Sequence, residues 1–236
     1  MIQYKYTESM LLGDLISLFF PNVCPGCQSA LLRHEQMICT VCRTLLPVAD
    51  DYADPDNPII SKLSGRLPLL HGFYLLPFLK EGIVQRLMHQ LKYNNRPDIG
   101  VHLGELLGQK LRDKDMHRYF DVIVPVPLHR SRQERRGYNQ STQFAFGLSN
   151  KTGVVVEERV VIRQRISETQ TRKSRLERLR NVEGIFTVIN SKYIAQKHVL
   201  LVDDVFTTGA TLESCGLTLL SCGLKSLSVA TLAQAR

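Results

Sequence analysis

Four cysteines stand in two C-x-x-C pairs, "CPGC" (Cys24, Cys27) and "CTVC" (Cys39, Cys42), with 11 residues between them. Each pair turns two thiolates toward one point, and two pairs on a short hairpin complete a tetrahedral four-sulfur shell suited to Zn²⁺. The competing chemistry, two disulfides, is disfavoured in a reducing compartment. Four protein ligands leave no open position, so the expected metal is structural. Cys215 and Cys222, seven residues apart in a predicted helix, read as small buried apolar residues.

The second reactive constellation is "VLLVDDVFTTGAT", which sets Asp203 and Asp204 between an apolar run and a turn of small residues. "HVLLV" reads as a buried central strand, so the acids emerge near its carboxyl end, where open α/β sheets place their ligands. "TTGAT" supplies hydroxyls and consecutive backbone N–H groups just before a helix, a cup for a phosphate. Two acids beside it would repel that phosphate, so they must face hydroxyl donors on the same ligand. A ribose 5-phosphate carries both groups. The charge agrees with an anionic ligand: of a net charge of +8, residues 130–180 hold 13 Lys and Arg against five Asp and Glu, and elsewhere the charges cancel.

Positioning these groups falls to an alternating pattern. "DVIVPVP", "GVVVEE", "GIFTV", "HVLLVDD" and "SLSVATLA" are short β-branched runs, separated by helical segments near 138–149 and 211–221. Such alternation predicts an α/β domain with a mostly parallel sheet. Upstream lie an apolar stretch "GFYLLPFL", a helix carrying Ile83, Val84, Leu87, Met88 and Leu91, and a second around Leu103, Leu106, Leu107 and Leu111. The acidic, breaker-rich "VADDYADPDNP" reads as a linker, giving a helix and zinc ribbon over 1–47, a linker over 48–58 and the α/β domain over 59–236. No run approaches the roughly 18 apolar residues that cross a bilayer, so a cytoplasmic protein is expected. The N-terminal Leu11, Leu12, Leu15, Ile16 and Phe19 predict an amphipathic helix; membrane-surface binding is the alternative, though the polar face lacks Lys and Arg.

The acid-pair segment resembles the phosphoribosyl pyrophosphate (PRPP) loop of type I phosphoribosyltransferases. With "PVPLHRSRQERRGYNQS", "QTRKSRLERLRNVEGIFTV" and "FFPNVCPGC", nearly the whole chain is similar to the ComF family, cytoplasmic proteins associated with DNA uptake in competent bacteria. The resemblance implies that Asp203 and Asp204 bind the ribose hydroxyls and that Thr207, Thr208, Gly209, Ala210 and Thr211 bind the 5-phosphate. It sets Pro127, Arg130 and Arg132 in the pyrophosphate loop, beside Mg²⁺, and Arg172, Lys173 and Arg175 in a mobile loop that closes over the site. Purine-salvage members carry an acid at the position of Thr207, so this loop is closer to the orotate type. With the chain stopping after its last strand, the acceptor side is expected to be built from the zinc module or "GFYLLPFL".

Plainer readings stand beside these assignments. The acids can be solvated carboxylates of a helix-capping turn. The arginines can be a solvated helical face paired with Glu168 and Glu177. Gly137 and Asn139 can simply shape a turn and cap the next helix. For function, a PRPP-binding phosphoribosyltransferase, an inactive PRPP or nucleotide sensor, and a single-stranded-DNA-binding accessory of the uptake machinery are carried together.

Overall fold

The computed structural model describes residues 21–78, 81–164 and 185–235. The expected N-terminal helix and the segment with Arg172, Lys173 and Arg175 lie outside them. The chain divides into two compact units, one ending at Leu46 and one beginning at Pro47.

In the first unit Val23 and Ala30 pair across a tight antiparallel turn. Gln28 takes φ +66° at its apex, and Cys24 N–H donates to Ser29 O at 2.8 Å. The second cysteine pair is not on a hairpin. It opens a short helix, α1 (Thr40–Thr44), whose N-cap Cys39 accepts the Cys42 N–H through sulfur. Glu35 ties the two halves together, accepting the Leu32 N–H at 2.9 Å and the Thr40 N–H at 2.6 Å. Those N–H donors, Thr40 foremost, hold its carboxyl down at about 2.

The second unit is built on a five-stranded, all-parallel sheet in the order β1-β7-β6-β2-β3. Its strands are β1 (Gly72–Phe78), β2 (Val122–Pro125), β3 (Val155–Val156), β6 (His198–Phe206) and β7 (Ser226–Ala235). "GFYLLPF" is thus an edge strand of the main sheet. "FTV" does not join that sheet: as β5 (Phe186–Val188) it pairs antiparallel with β4 (Val161–Arg163), a strand too short to register in the sequence pattern. The central strands are apolar on both faces, with Val199 to Val202 and Leu227, Val229, Ala230 and Leu232 all buried, as a sheet covered by helices on both sides requires.

Six α-helices and two short 3-10 turns, Met116–Tyr119 and Ser191–Tyr193, complete this unit among the described residues: α2 (Pro58–Leu63), α3 (Ile83–Tyr93), α4 (Pro97–Asp113), α5 (Arg130–Arg136), α6 (Gln140–Thr152) and α7 (Ala210–Leu220). Helix α3 buries Val84, Leu87, Met88 and Leu91, the stripe its periodicity predicts. Residues 48–58, expected as a linker, are instead packed into the unit. Ala49 N–H donates to Leu75 O of β1 at 2.8 Å. Tyr52 is buried, with its hydroxyl on Lys110 O at 3.2 Å and the Lys110 and Lys114 ammonium groups over its ring. Asn57 caps α2 just before its first-turn proline and sends Nδ2 to Gly72 O at 2.7 Å. The segment is polar, but its one aromatic and its capping asparagine find buried partners.

Candidate functional site

The acid pair lies on β6 where its pairing becomes one-sided. The ladder with β2 ends at Val202, opposite Pro125, whereas the ladder with β7 continues through Asp203 to Phe206. From Asp203 onward one edge of β6 therefore opens into a cleft. The acids precede the strand's end by three and two residues, near its carboxyl end as the sequence pattern places them.

That cleft, about 260 Å³, is lined by Asp203, Asp204, Thr207 and Thr211 and by the cations Lys92, Arg132, Arg136 and Arg163. Asp203 accepts the Ser141 hydroxyl at 3.0 Å and the Asp204 N–H at 2.9 Å. Burial, then the neighbouring Asp204 charge, pushes its carboxyl up to about 7. Asp204 Oδ2 lies 3.0 Å from Lys92 Nζ, an ion pair with only about a fifth of each side chain exposed. Lys92 sits at the end of α3, far in sequence from the acid-pair segment, and nothing in its local pattern singles it out. Gln140, 1% exposed, accepts Arg136 Nη1 at 2.8 Å. Arg136 Nε is buried without a hydrogen-bond partner.

The loop after β6 is shaped by glycine. Gly209 has φ +79° and precedes the first turn of α7. A Cβ there would lie 2.7 Å from Leu63 Cδ2 and 3.0 Å from the Phe206 ring, so the left-handed turn and the close approach both require glycine. Thr207 and Thr211 line the cleft; Thr208 instead offers its carbonyl to Arg66 Nη1 at 3.1 Å and its hydroxyl to the Ala210 N–H at 3.4 Å.

On the β2 side, Pro127 borders the cleft and Arg132 reaches it. Arg130 does not line it; exposed, it pairs with Glu134 at 2.9 Å one turn along α5 and lines an adjoining cavity of about 540 Å³ that shares Pro127, Leu128, Asn139 and Arg163 with the cleft. Arg136 takes the place in the cleft that its helical spacing from Arg132 allows. Gly137 ends α5 at φ +79°. Asn139 caps α6 through the Ser141 N–H and holds Val126 O through Nδ2 at 2.9 Å. Both residues of "RRGYNQ" thus shape the turn, and through it they place Ser141 against Asp203.

In the first unit the four ligand sulfurs of Cys24, Cys27, Cys39 and Cys42 lie within 4.8 Å of one another. Cys27 and Cys39 sulfurs are 3.6 Å apart, far longer than a disulfide at about 2.05 Å. Tetrahedral Zn²⁺ with sulfurs at about 2.3 Å asks for sulfur–sulfur separations of about 3.8 Å, so the cluster fits one such ion. The hydroxyl and N–H of Ser29 lower the Cys27 thiol to about 6, whereas burial pushes the Cys42 thiol up and Cys39 is raised as well, so the case for a metal rests on the sulfur geometry.

A profile of the phosphoribosyl transferase domain matches residues 89–236. Competence protein F of Haemophilus influenzae is 30% identical over 218 residues, covering 91% of either chain. DNA utilization protein YhgH of Escherichia coli K12 is 33% identical over 201 residues, 81% of this chain and 74% of its own. Among solved structures, the allosteric regulatory enzyme of purine biosynthesis aligns with a TM-score of 0.44 and 20% identity, over 61% of this chain and 29% of that one. With a parallel-sheet α/β unit matching that domain and close relatives along most of its length, the chain belongs to the ComF family of phosphoribosyltransferase-like proteins.

Proposed function

We propose that the chain binds a phosphoribosyl ligand, PRPP with Mg²⁺, in the acid-pair cleft, and that it serves DNA uptake in the cytoplasm. Asp203 and Asp204 accept hydrogen bonds from the ribose hydroxyls. Thr207 to Thr211 take the 5-phosphate, and Pro127 and Arg132 frame the pyrophosphate, joined by Lys92 and Arg136, while Arg130, which the resemblance also sets there, stands outside the cleft on its Glu134 pair. Arg172, Lys173 and Arg175 close over it, as the family resemblance implies. Mg²⁺ arrives with the ligand and neutralises pyrophosphate charge; Zn²⁺ on Cys24, Cys27, Cys39 and Cys42 is structural.

One observation carries the reading: two carboxylates lie on an open strand edge in a cleft whose other charged groups, among the described residues, are four cations. A ligand with phosphates for the cations and hydroxyls for the carboxylates engages both sets, and a ligand with either alone engages one. The DNA-uptake role is supported by relatives named for competence and for DNA utilization. Those names also favour a second reading, single-stranded DNA on the basic window of residues 130–180, with affinity falling steeply as salt rises.

Calorimetry of PRPP with Mg²⁺ tests the first. Asp203→Asn combined with Asp204→Asn removes charge-assisted acceptors worth about 1.5 to 3 kcal/mol each, so binding should fall at least about a hundredfold while the fold persists. Equal affinity in wild type and double variant refutes the assignment.

A further inference from the structure

Residues 58–67, which are α2 and the turn after it, lie upstream of the phosphoribosyl transferase match at 89–236. They nevertheless pack along the Thr207 to Thr211 loop and α7. Leu63 Cδ2 fills the space a Cβ on Gly209 would need, 2.7 Å away, and Leu67 Cδ2 does the same at Gly216, at 2.9 Å. Both leucines are buried. Between them Arg66 spans the loop: Nη1 donates to Thr208 O at 3.1 Å and to Lys62 O at 3.3 Å, and Nη2 pairs with Glu213. Glu213 is the acid in the first turn of α7. Thr207 and Thr211 border the acid-pair cleft; Arg66 does not.

We infer that Arg66 is a positioning residue for the phosphate cup, acting through the loop backbone and not by touching the ligand. The inference rests on the proposed function in taking this loop as the 5-phosphate site. A trans peptide points its C=O and the following N–H in opposite directions, and the described residues hold no cis bond. Holding Thr208 O on the α2 side therefore turns the Gly209 N–H to the other side, toward the ligand. Among the described residues no acceptor holds that N–H. Arg66 acts a second time through charge. Its guanidinium offsets Glu213, which at the junction of loop and helix repels a phosphate. A lysine supplies the charge but not the fork that reaches Thr208 O and Glu213 together.

The test follows the Gly209 amide by nitrogen-15 NMR, with calorimetry, on the full metal-replete chain. Four probes are used: inorganic phosphate, ribose 5-phosphate, PRPP with Mg²⁺ and pyrophosphate with Mg²⁺. In wild type, phosphate and ribose 5-phosphate should shift the Gly209 amide. Arg66→Ala should weaken ribose 5-phosphate and PRPP by at least about tenfold, the size of one hydrogen bond to a charged group, while pyrophosphate stays within about threefold. Arg66→Lys, and Arg66→Ala combined with Glu213→Gln, should each recover part of the loss and neither the whole. A Gly209 amide that no phosphate shifts, equal losses for pyrophosphate and ribose 5-phosphate, or full rescue by Arg66→Lys overturns the positioning role. So does a lowered melting temperature in Arg66→Ala with all affinities unchanged, which assigns Arg66 to the fold alone. If PRPP does not bind wild type while ribose 5-phosphate shifts Gly209 in a manner dependent on Arg66, the PRPP reading falls and the positioning role stands.

Discussion

Asp203 is the residue at which stability and binding pull in opposite directions. Its carboxyl ordinarily titrates near 3.8 and in the folded chain is pushed up to about 7 by burial and by Asp204. An acid whose folded pKa is raised supports the fold fully below its unfolded pKa and loses that support as pH rises through the folded value. In ligand-free protein, Asp203→Asn should therefore match wild type near pH 4 and exceed it increasingly toward pH 8. The gap should reach the order of 2 kcal/mol, since each pKa unit corresponds to about 1.4 kcal/mol and partial exposure screens the charge. Denaturant melts across that range check it, and a gap that shrinks toward pH 8 would show that neither burial nor the Asp204 charge raises the carboxyl. Binding should run the other way. In the proposed site the ribose hydroxyls would donate to the ionised carboxylate, so PRPP affinity in wild type should rise from pH 6 to 8 with release of a proton. Calorimetry in buffers of different ionisation enthalpy reads that proton directly.

Among the helices, α4 and α6 meet at backbone distance. Gly100, Gly104 and Gly108 recur every four residues on α4, and Cβ atoms on Gly104 and Gly147 would collide with Phe144 O and Val101 O of the facing helix. This packing holds α6, and with it Ser141, against Asp203. Gly147→Ala should cost about 3 kcal/mol, because a carbonyl in a packed helix cannot step aside, and it should weaken PRPP binding as well. Thermal unfolding and calorimetry on the same variant test both; unchanged stability would mean the helices can part freely. The glycine stripe was present in the sequence, where three helix-interior glycines each cost about 1 kcal/mol against alanine and so call for a packing reason. Other features were legible for clear reasons: apolar runs named the central strands, and the acid pair with its small-residue turn named the loop. Lys92 was not, since a lone lysine at a helix end looks like any solvated one until the fold carries it to Asp204. The edge strand β1 was ambiguous because a short apolar run fits strand and hood alike. The 48–58 segment misleads because polarity alone marks a linker, while Tyr52 and Asn57 decide its packing.

At the scale of the whole molecule, the two units divide the chemistry between them. The four thiols belong to the first, and each residue lining the acid-pair cleft belongs to the second. The second unit also has a large apolar core of its own, from Ile59 and Phe73 through Leu103 and Phe144 to Leu232, whereas the first is too small to hold its fold by burial alone and needs a staple. Purified, metal-replete protein should therefore contain one Zn²⁺ per chain, and Cys24→Ser with Cys27→Ser should abolish it. In that variant the first unit should lose protection from proteolysis, as small metal sites couple binding to folding. PRPP affinity should stay within about threefold of wild type, because no lining group is lost and a threefold change is under about 0.7 kcal/mol. Elemental analysis, limited proteolysis and calorimetry on the same preparation give the three readings. A zinc-free variant that no longer binds PRPP, while its second unit still unfolds cooperatively, would show that the metal unit completes the ligand site.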